Sequence, residues 1–138
     1  MLEFAESKIA EWPNNHSIII GQDSSAKVGV ADCQEVDEPP DVTLGRFGMK
    51  CVNPKGENLL NFCRSHNFRI ANTWFEHESH ATWKYFTSKM LNHQIDHYLV
   101  DQKLFKNVTD CQISNLGCAS DHSSLVLKLN IRCDKKTQ

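Results

Sequence analysis

The chain has 138 residues, 40% of them hydrophobic and 23% charged, with a formal net charge of −2. That length admits one ordinary domain, able to bury roughly two thirds of its unfolded surface. The near-neutral charge lacks the basic footprint of a dedicated nucleic-acid binder, and no apolar run approaches the roughly 20 residues of a membrane span. A nuclease stays within bounds, because a metal ion can supply local positive charge.

The first segment, MLEFAESKIAEW, carries acids early and has no apolar core of a secretory signal. Leu2, Ala5, Ile9 and Trp12 recur at spacings of three and four, which predicts a short amphipathic helix stopped by Pro13. SIIIG then predicts a short buried strand ending in a glycine turn, with QDSSAKVG as the loop beyond. Residues 31–41, ADCQEVDEPPD, hold five acids and Pro39-Pro40 and read as an exposed loop. In NPKGENLLNFCRSHN, Asn53 is placed to cap a helix that begins at Pro54 and buries Leu59, Leu60 and Cys63.

Five strands are predicted after that helix: FRIANTWF, ATWKYF, HQIDHYLV, NVTDCQIS and SSLVLKLNI. In the last, Leu125, Leu127, Leu129 and Ile131 alternate, as in a strand with one buried face. Helices and strands in mixed order predict a layered α/β or α+β domain over residues 1–133, followed by a polar tail at 134–138. The six cysteines are scattered without a C-x-x-C pair. In the absence of a signal segment they are expected to be free thiols in a reducing, intracellular compartment, the nucleus included. The sequons at Asn15 and Asn107 then carry little weight.

Three acids fall at or just beyond the ends of predicted strands: Asp23 after SIIIG, Asp96 in QIDHYL, and Asp121 beside His122 ahead of SSLVLKL. Strands lying side by side would gather these acids at one sheet edge. Phosphodiester hydrolysis needs such a gathering. Carboxylates hold a hard divalent cation that neutralises phosphate oxygens, and an imidazole oriented by a carboxylate handles the proton of the attacking water. Any one of these acids alone suits an N-cap, a turn or a solvated surface better than catalysis.

The segments IIIGQDSSAKVG, NLLNFCRSHNFRIANTWF, HATWKYF, NHQIDHYLV and VTDCQISNLGCASDHSSLV occur in an order that resembles the endonuclease/exonuclease/phosphatase superfamily. In particular they resemble the apurinic-endonuclease-like nucleases of LINE-type retrotransposons and the craniofacial-development-protein-like sequences related to them. The resemblance runs from about Ser17 to Ile131, and IDHYL followed by SDH is its most specific part.

It implies the C-terminal portion of a two-sheet α/β sandwich, with Mg²⁺ or Mn²⁺ as cofactor and DNA as partner. It implies that His122 contacts the scissile phosphate or moves the proton of water, and that Asp96 orients its ring. Asp121 would help to ligate the metal, and Asp23 would orient or deprotonate the nucleophile. Thr82 matches a threonine near the phosphate-binding rim, and Trp74 and Trp83 read as packing or rim residues.

Two departures from the family pattern bear on activity. The Asp23 element ends in Ser25 where the family has an asparagine whose amide donates to phosphate. Loss of one such preorganised donor costs about 2.7–4 kcal/mol in the transition state, a hundred- to thousandfold in rate. The family's first half, with its own asparagine, metal-binding glutamate, tyrosine and sheet, has no counterpart in the 16 residues before Ser17. The isolated chain is therefore expected to be weak or inactive, with one sheet face left uncovered. The alternative is a non-catalytic remnant or interaction module derived from such a nuclease, which a longer gene product could complete.

A zinc module is a third reading, from His77, His80, His93 and His97. H-E-x-x-H needs histidines four apart on one helical face, whereas HESH separates them by three and lies between predicted strands. Ordinary loop histidines are the plainer reading, and His16 and His66 read as surface residues.

Overall fold

The computed structural model describes residues 2–12, 16–23, 25–31, 42–85, 91–114 and 123–132, and the fold is a mixed α+β arrangement of helices and antiparallel sheets. The acidic stretch 32–41, the Asp121-His122 pair and the tail from 133 onward lie outside the described residues.

β5 (Asp96–Asp101) is the middle strand of a three-stranded sheet, flanked antiparallel by β1 (Ile19–Asp23) and β2 (Phe68–Ile70). Alternation along β5 divides the side chains between two faces. His97 and Leu99, with Ile20 and Ile70, face α2 (Pro54–His66), where Leu59, Leu60, Phe62 and Cys63 complete one buried cluster. Tyr98 and Val100 face the hairpin of β6 (Val108–Ser114) and β7 (Ser124–Leu129), packing with Cys111, Leu125, Leu127 and Leu129. Leu59, Ile70 and Leu99 are wholly buried, a transfer term of roughly 1.5–3 kcal/mol each. The hairpin turns Ser124, Val126 and Lys128 to solvent, so its outward face is largely polar.

The helices follow their end signals. α1 (Leu2–Glu11) lays Leu2, Ala5 and Ile9 against the first cluster and leaves Phe4 in solvent. α2 begins where Asn53 caps it, its side chain accepting from the Gly56 amide at 2.8 Å. Pro54 needs no amide partner there. Asn67 closes the helix in the left-handed conformation at φ 58, with its amide donating to the Cys63 carbonyl.

Four expected boundaries differ. β1 runs through Gly21 to Asp23 instead of turning at the glycine, because every residue of that span stays paired with β5. The expected strand over 93–100 is two elements: β4 (Leu91–His93), paired with β3 (Trp83–Tyr85), ends before Gln94, and β5 starts at Asp96. FRIANTWF is a strand only to Ile70. Thr73 Oγ1 then donates to the Ile70 carbonyl and accepts from the Gly45 amide, which bends Ala71–Thr73 into a 3₁₀ turn. The short helix α3 (Gln102–Phe105) has no counterpart among the expected elements, and Asp101 caps it at the Lys103 amide.

Cys51, Cys63 and Cys111 are free thiols, and burial pushes Cys63 and Cys111 up to about 12. Among the described residues no helix is long and apolar enough to cross a membrane.

Gly56 has no room for a methyl group: a Cβ there would stand 1.7 Å from the Lys27 carbonyl oxygen. In an open helix Gly→Ala gains about 1 kcal/mol, but overpacking costs about 1–3 kcal/mol or more. Gly56→Ala is therefore expected to lower the urea midpoint.

Burial holds His97 below the ordinary imidazole value of 6.5, against the opposing effect of its bond to the Ala26 carbonyl. The unfolded chain then binds the proton more readily than the folded one. The contribution of His97 is complete above pH 6.5 and is lost as pH falls towards and through the lowered folded value. The urea midpoint should fall between about pH 7.5 and about pH 5.5, and the fall should be shallower in His97→Gln, which cannot titrate.

Candidate active site

Asp23 is the last residue of β1 and Asp96 the first of β5, and the register sets them directly opposite each other. Directly opposed residues of an antiparallel pair point to the same face. They sit at the same sheet end. Asp23 is exposed and Asp96 half-buried. Between them and the hairpin lies a hollow of about 400 Å³, lined by Gly21, Gln22, Asp23, Asp96, His97, Tyr98 and Leu125.

Thr82 holds the entry to β5. It is wholly buried, and its hydroxyl accepts from the amides of both Ile95 and Asp96 at 3.0 Å. These two amides are thereby satisfied outside any strand ladder, which lets the chain turn from β4 into β5. The Thr82 carbonyl accepts from the Ser123 amide at 2.7 Å. Ser123 follows His122 in the chain, so Thr82 joins the start of β5 to the residue just ahead of β7. Asp121 and His122 themselves lie outside the described residues.

Ser25 stands two residues past Asp23 with φ 57, a left-handed conformation unusual for serine. Its carbonyl accepts from Asn53 Nδ2 at 2.8 Å, and Asn53 Oδ1 also accepts from the Lys27 amide at 3.0 Å. The next carbonyl, that of Ala26, accepts from His97 Nε2 at 2.7 Å. A carbonyl oxygen can only accept, so the ring is the Nε2–H tautomer and Nδ1 receives Asn72 Nδ2–H at 3.0 Å. Asn72 Oδ1 in turn accepts from the Tyr98 amide at 3.3 Å.

The zinc alternative groups His97 with His77, His80 and His93. His97 is instead a core residue, 1% exposed. Its placement every second residue with Leu99 was the signal that would have found it. His77 Nε2 pairs with Asp110 at 2.6 Å, and the His80 ring lies 6.2 Å from it. His80 is held below its ordinary range by burial and by His77. Among the described residues no group of three or more His, Cys, Asp or Glu side chains is placed to hold a metal ion. Asp23 and Asp96 are thus two oxygen donors, and a hard divalent cation needs more ligands than they supply.

These observations define a mixed α+β protein with paired carboxylates at one sheet end. The chain is homologous to a stretch of craniofacial development protein 2. It is 34% identical over 117 residues to the protein from Tragulus javanicus, across 83% of this chain and 19% of that protein. Against the protein from Bos taurus the identity is 33% over 117 residues, across 83% and 18%. The chain thus spans about a fifth of the length of these relatives. No protein-family model matches it.

Thr82→Val keeps the shape of the side chain but leaves two buried amides without an acceptor. The expected cost is at least about 1–3 kcal/mol in chemical denaturation, with faster exchange of the Ile95 and Asp96 amides. Thr82→Ser should retain most of the stability and the protection.

Proposed function

We propose that this chain is the C-terminal portion of a metal-dependent phosphodiesterase domain of the endonuclease/exonuclease/phosphatase type, with DNA as its substrate and weak activity in isolation. The observation that carries the reading is the direct opposition of Asp23 and Asp96 at one rim, above a threonine bonded to the residue that follows His122.

In this reading His122 carries the proton of the attacking water and Asp96 fixes its tautomer. Asp23 orients the nucleophile, and Ser25 offers one hydroxyl to the phosphate. Thr82 acts through the backbone, holding Asp96 at the rim. Asp121 contributes to a Mg²⁺ or Mn²⁺ site, where the bound cation neutralises phosphate oxygens and the leaving alkoxide. The remaining ligands would come from a segment that a longer protein supplies, in keeping with the fraction of the relatives that this chain covers.

The full chain with Mg²⁺ is expected to nick supercoiled plasmid slowly. Asp96→Asn and His122→Ala should each reduce nicking by about a hundredfold or more. Equal residual nicking in both variants and the parent chain would sink the reading.

Ser25→Asn supplies a gain-of-function arm. Asparagine tolerates the left-handed conformation at position 25 and restores the amide donor, so nicking should rise by up to about a hundred- to thousandfold.

The second reading is a non-catalytic module derived from such a nuclease, favoured by the serine at position 25. A Ser25→Asn protein that folds normally yet leaves DNA intact at high concentration would decide for it.

A further inference from the structure

The two carboxylates belong to different strands, and beyond Asp23 the chain leaves the ladder. The Ser25–Lys27 segment must therefore be held by something other than the β1–β5 ladder. Asn53 holds it from the helix side, bonding to Ser25 O, Lys27 N–H and, through its own amide, Lys27 O. The Ala26 carbonyl points the other way, into the core, where an aliphatic side chain would leave it without a donor at a cost of about 1–3 kcal/mol.

We infer that His97, backed by Asn72, is a positioning residue that ties the Ser25–Lys27 segment to the strand carrying Asp96. The inference rests on the reading of Asp23, Ser25 and Asp96 as site residues. His97 adjoins Asp96 in sequence but lies on the opposite face of the sheet, so the imidazole reaches that segment from beneath the rim. Both ring nitrogens are used, Nε2–H on the Ala26 carbonyl and Nδ1 on Asn72, and only one neutral tautomer satisfies both contacts. Asn72 is itself fixed, with Oδ1 on the Tyr98 amide and its residue 2% exposed. The three groups form a rigid spacer between β5 and the segment. Any movement of the Ala26 carbonyl away from β5 breaks a bond that no water can replace at a site this enclosed.

The test uses the full chain, labelled with ¹⁵N, at neutral pH. Ring-nitrogen spectra should show His97 as the Nε2–H tautomer; an Nδ1–H or a rapidly exchanging ring would overturn the inference. In His97→Leu the Lys27 amide, in the same segment and bonded to Asn53, should exchange about tenfold faster or more, while the Ile20 and Leu99 ladder amides keep their rates. His97→Gln, which can donate to Ala26 and accept from Asn72, should restore the Lys27 rate to within about threefold. Parent-like exchange at Lys27 in the leucine variant, or exchange in the glutamine variant as fast as in leucine, would also overturn it. If the leucine variant does not fold, the tautomer and the glutamine variant still decide. None of these measurements reads hydrolysis. A chain that shows the tie but never nicks DNA loses the nuclease reading and keeps this one.

Discussion

The register of β1 on β5 governs everything near the rim. With Ile20 opposite Leu99 and Gln22 opposite His97, the apolar side of the pair meets α2. The same register puts Gly21 opposite Tyr98 and Asp23 opposite Asp96 on the other side. A slip of one residue would move every side chain of one strand to the other face. One of the two carboxylates would then be driven into the helix layer, and the ladder partners at the rim would be lost. Burial of Leu99 and of the His97 network penalises that slip, so the facing carboxylates are a consequence of the core.

The Asn53 cap extends this constraint to the helix. It starts α2 and at the same time binds the backbone on both sides of Ala26. Gly56 permits this contact, because the first turn of the helix rests on the Lys27 carbonyl. Helix, turn and central strand therefore form one unit, which makes the left-handed conformation of Ser25 tolerable. Strain of that kind, about 1–3 kcal/mol, persists where the surroundings over-determine it. Here Asn53 lies on one side and His97 on the other.

The opposite face of the sheet has a different logic. A two-stranded hairpin is marginal by itself, and β6–β7 gains its stability by laying Leu125, Leu127 and Leu129 on Tyr98 and Val100. Leu125, near the start of β7, is also the hairpin's contribution to the rim hollow. The core contact and the site are thus built from one strand end. A fold of this class hosts many functions, so the functional reading rests on the rim residues and on the homology, which extends over a stretch of a much longer protein.

Local chemistry made much of this legible. Asn53 with Pro54 announced α2 because a cap and a proline act within one turn of chain. The alternation of Leu125, Leu127 and Leu129 marked β7 for the same short-range reason, and the strand-end positions of Asp23 and Asp96 were visible as a pattern. Ile131, assigned to that alternation, lies beyond the strand and is exposed. The split between β4 and β5, the 3₁₀ turn after Ile70 and the burial of His97 were invisible to such reasoning. Each depends on a partner far along the chain: Thr82 for Asp96, Gly45 for Thr73, Ala26 for His97. By itself, then, the sequence determined that α1, α2, β6 and β7 would form and which of their faces would be apolar, since propensity and periodicity are properties of neighbours. Only the tertiary structure decided that Asp23 meets Asp96 and that a histidine serves as a strut, because pairing register and buried hydrogen bonds join residues with no local relation.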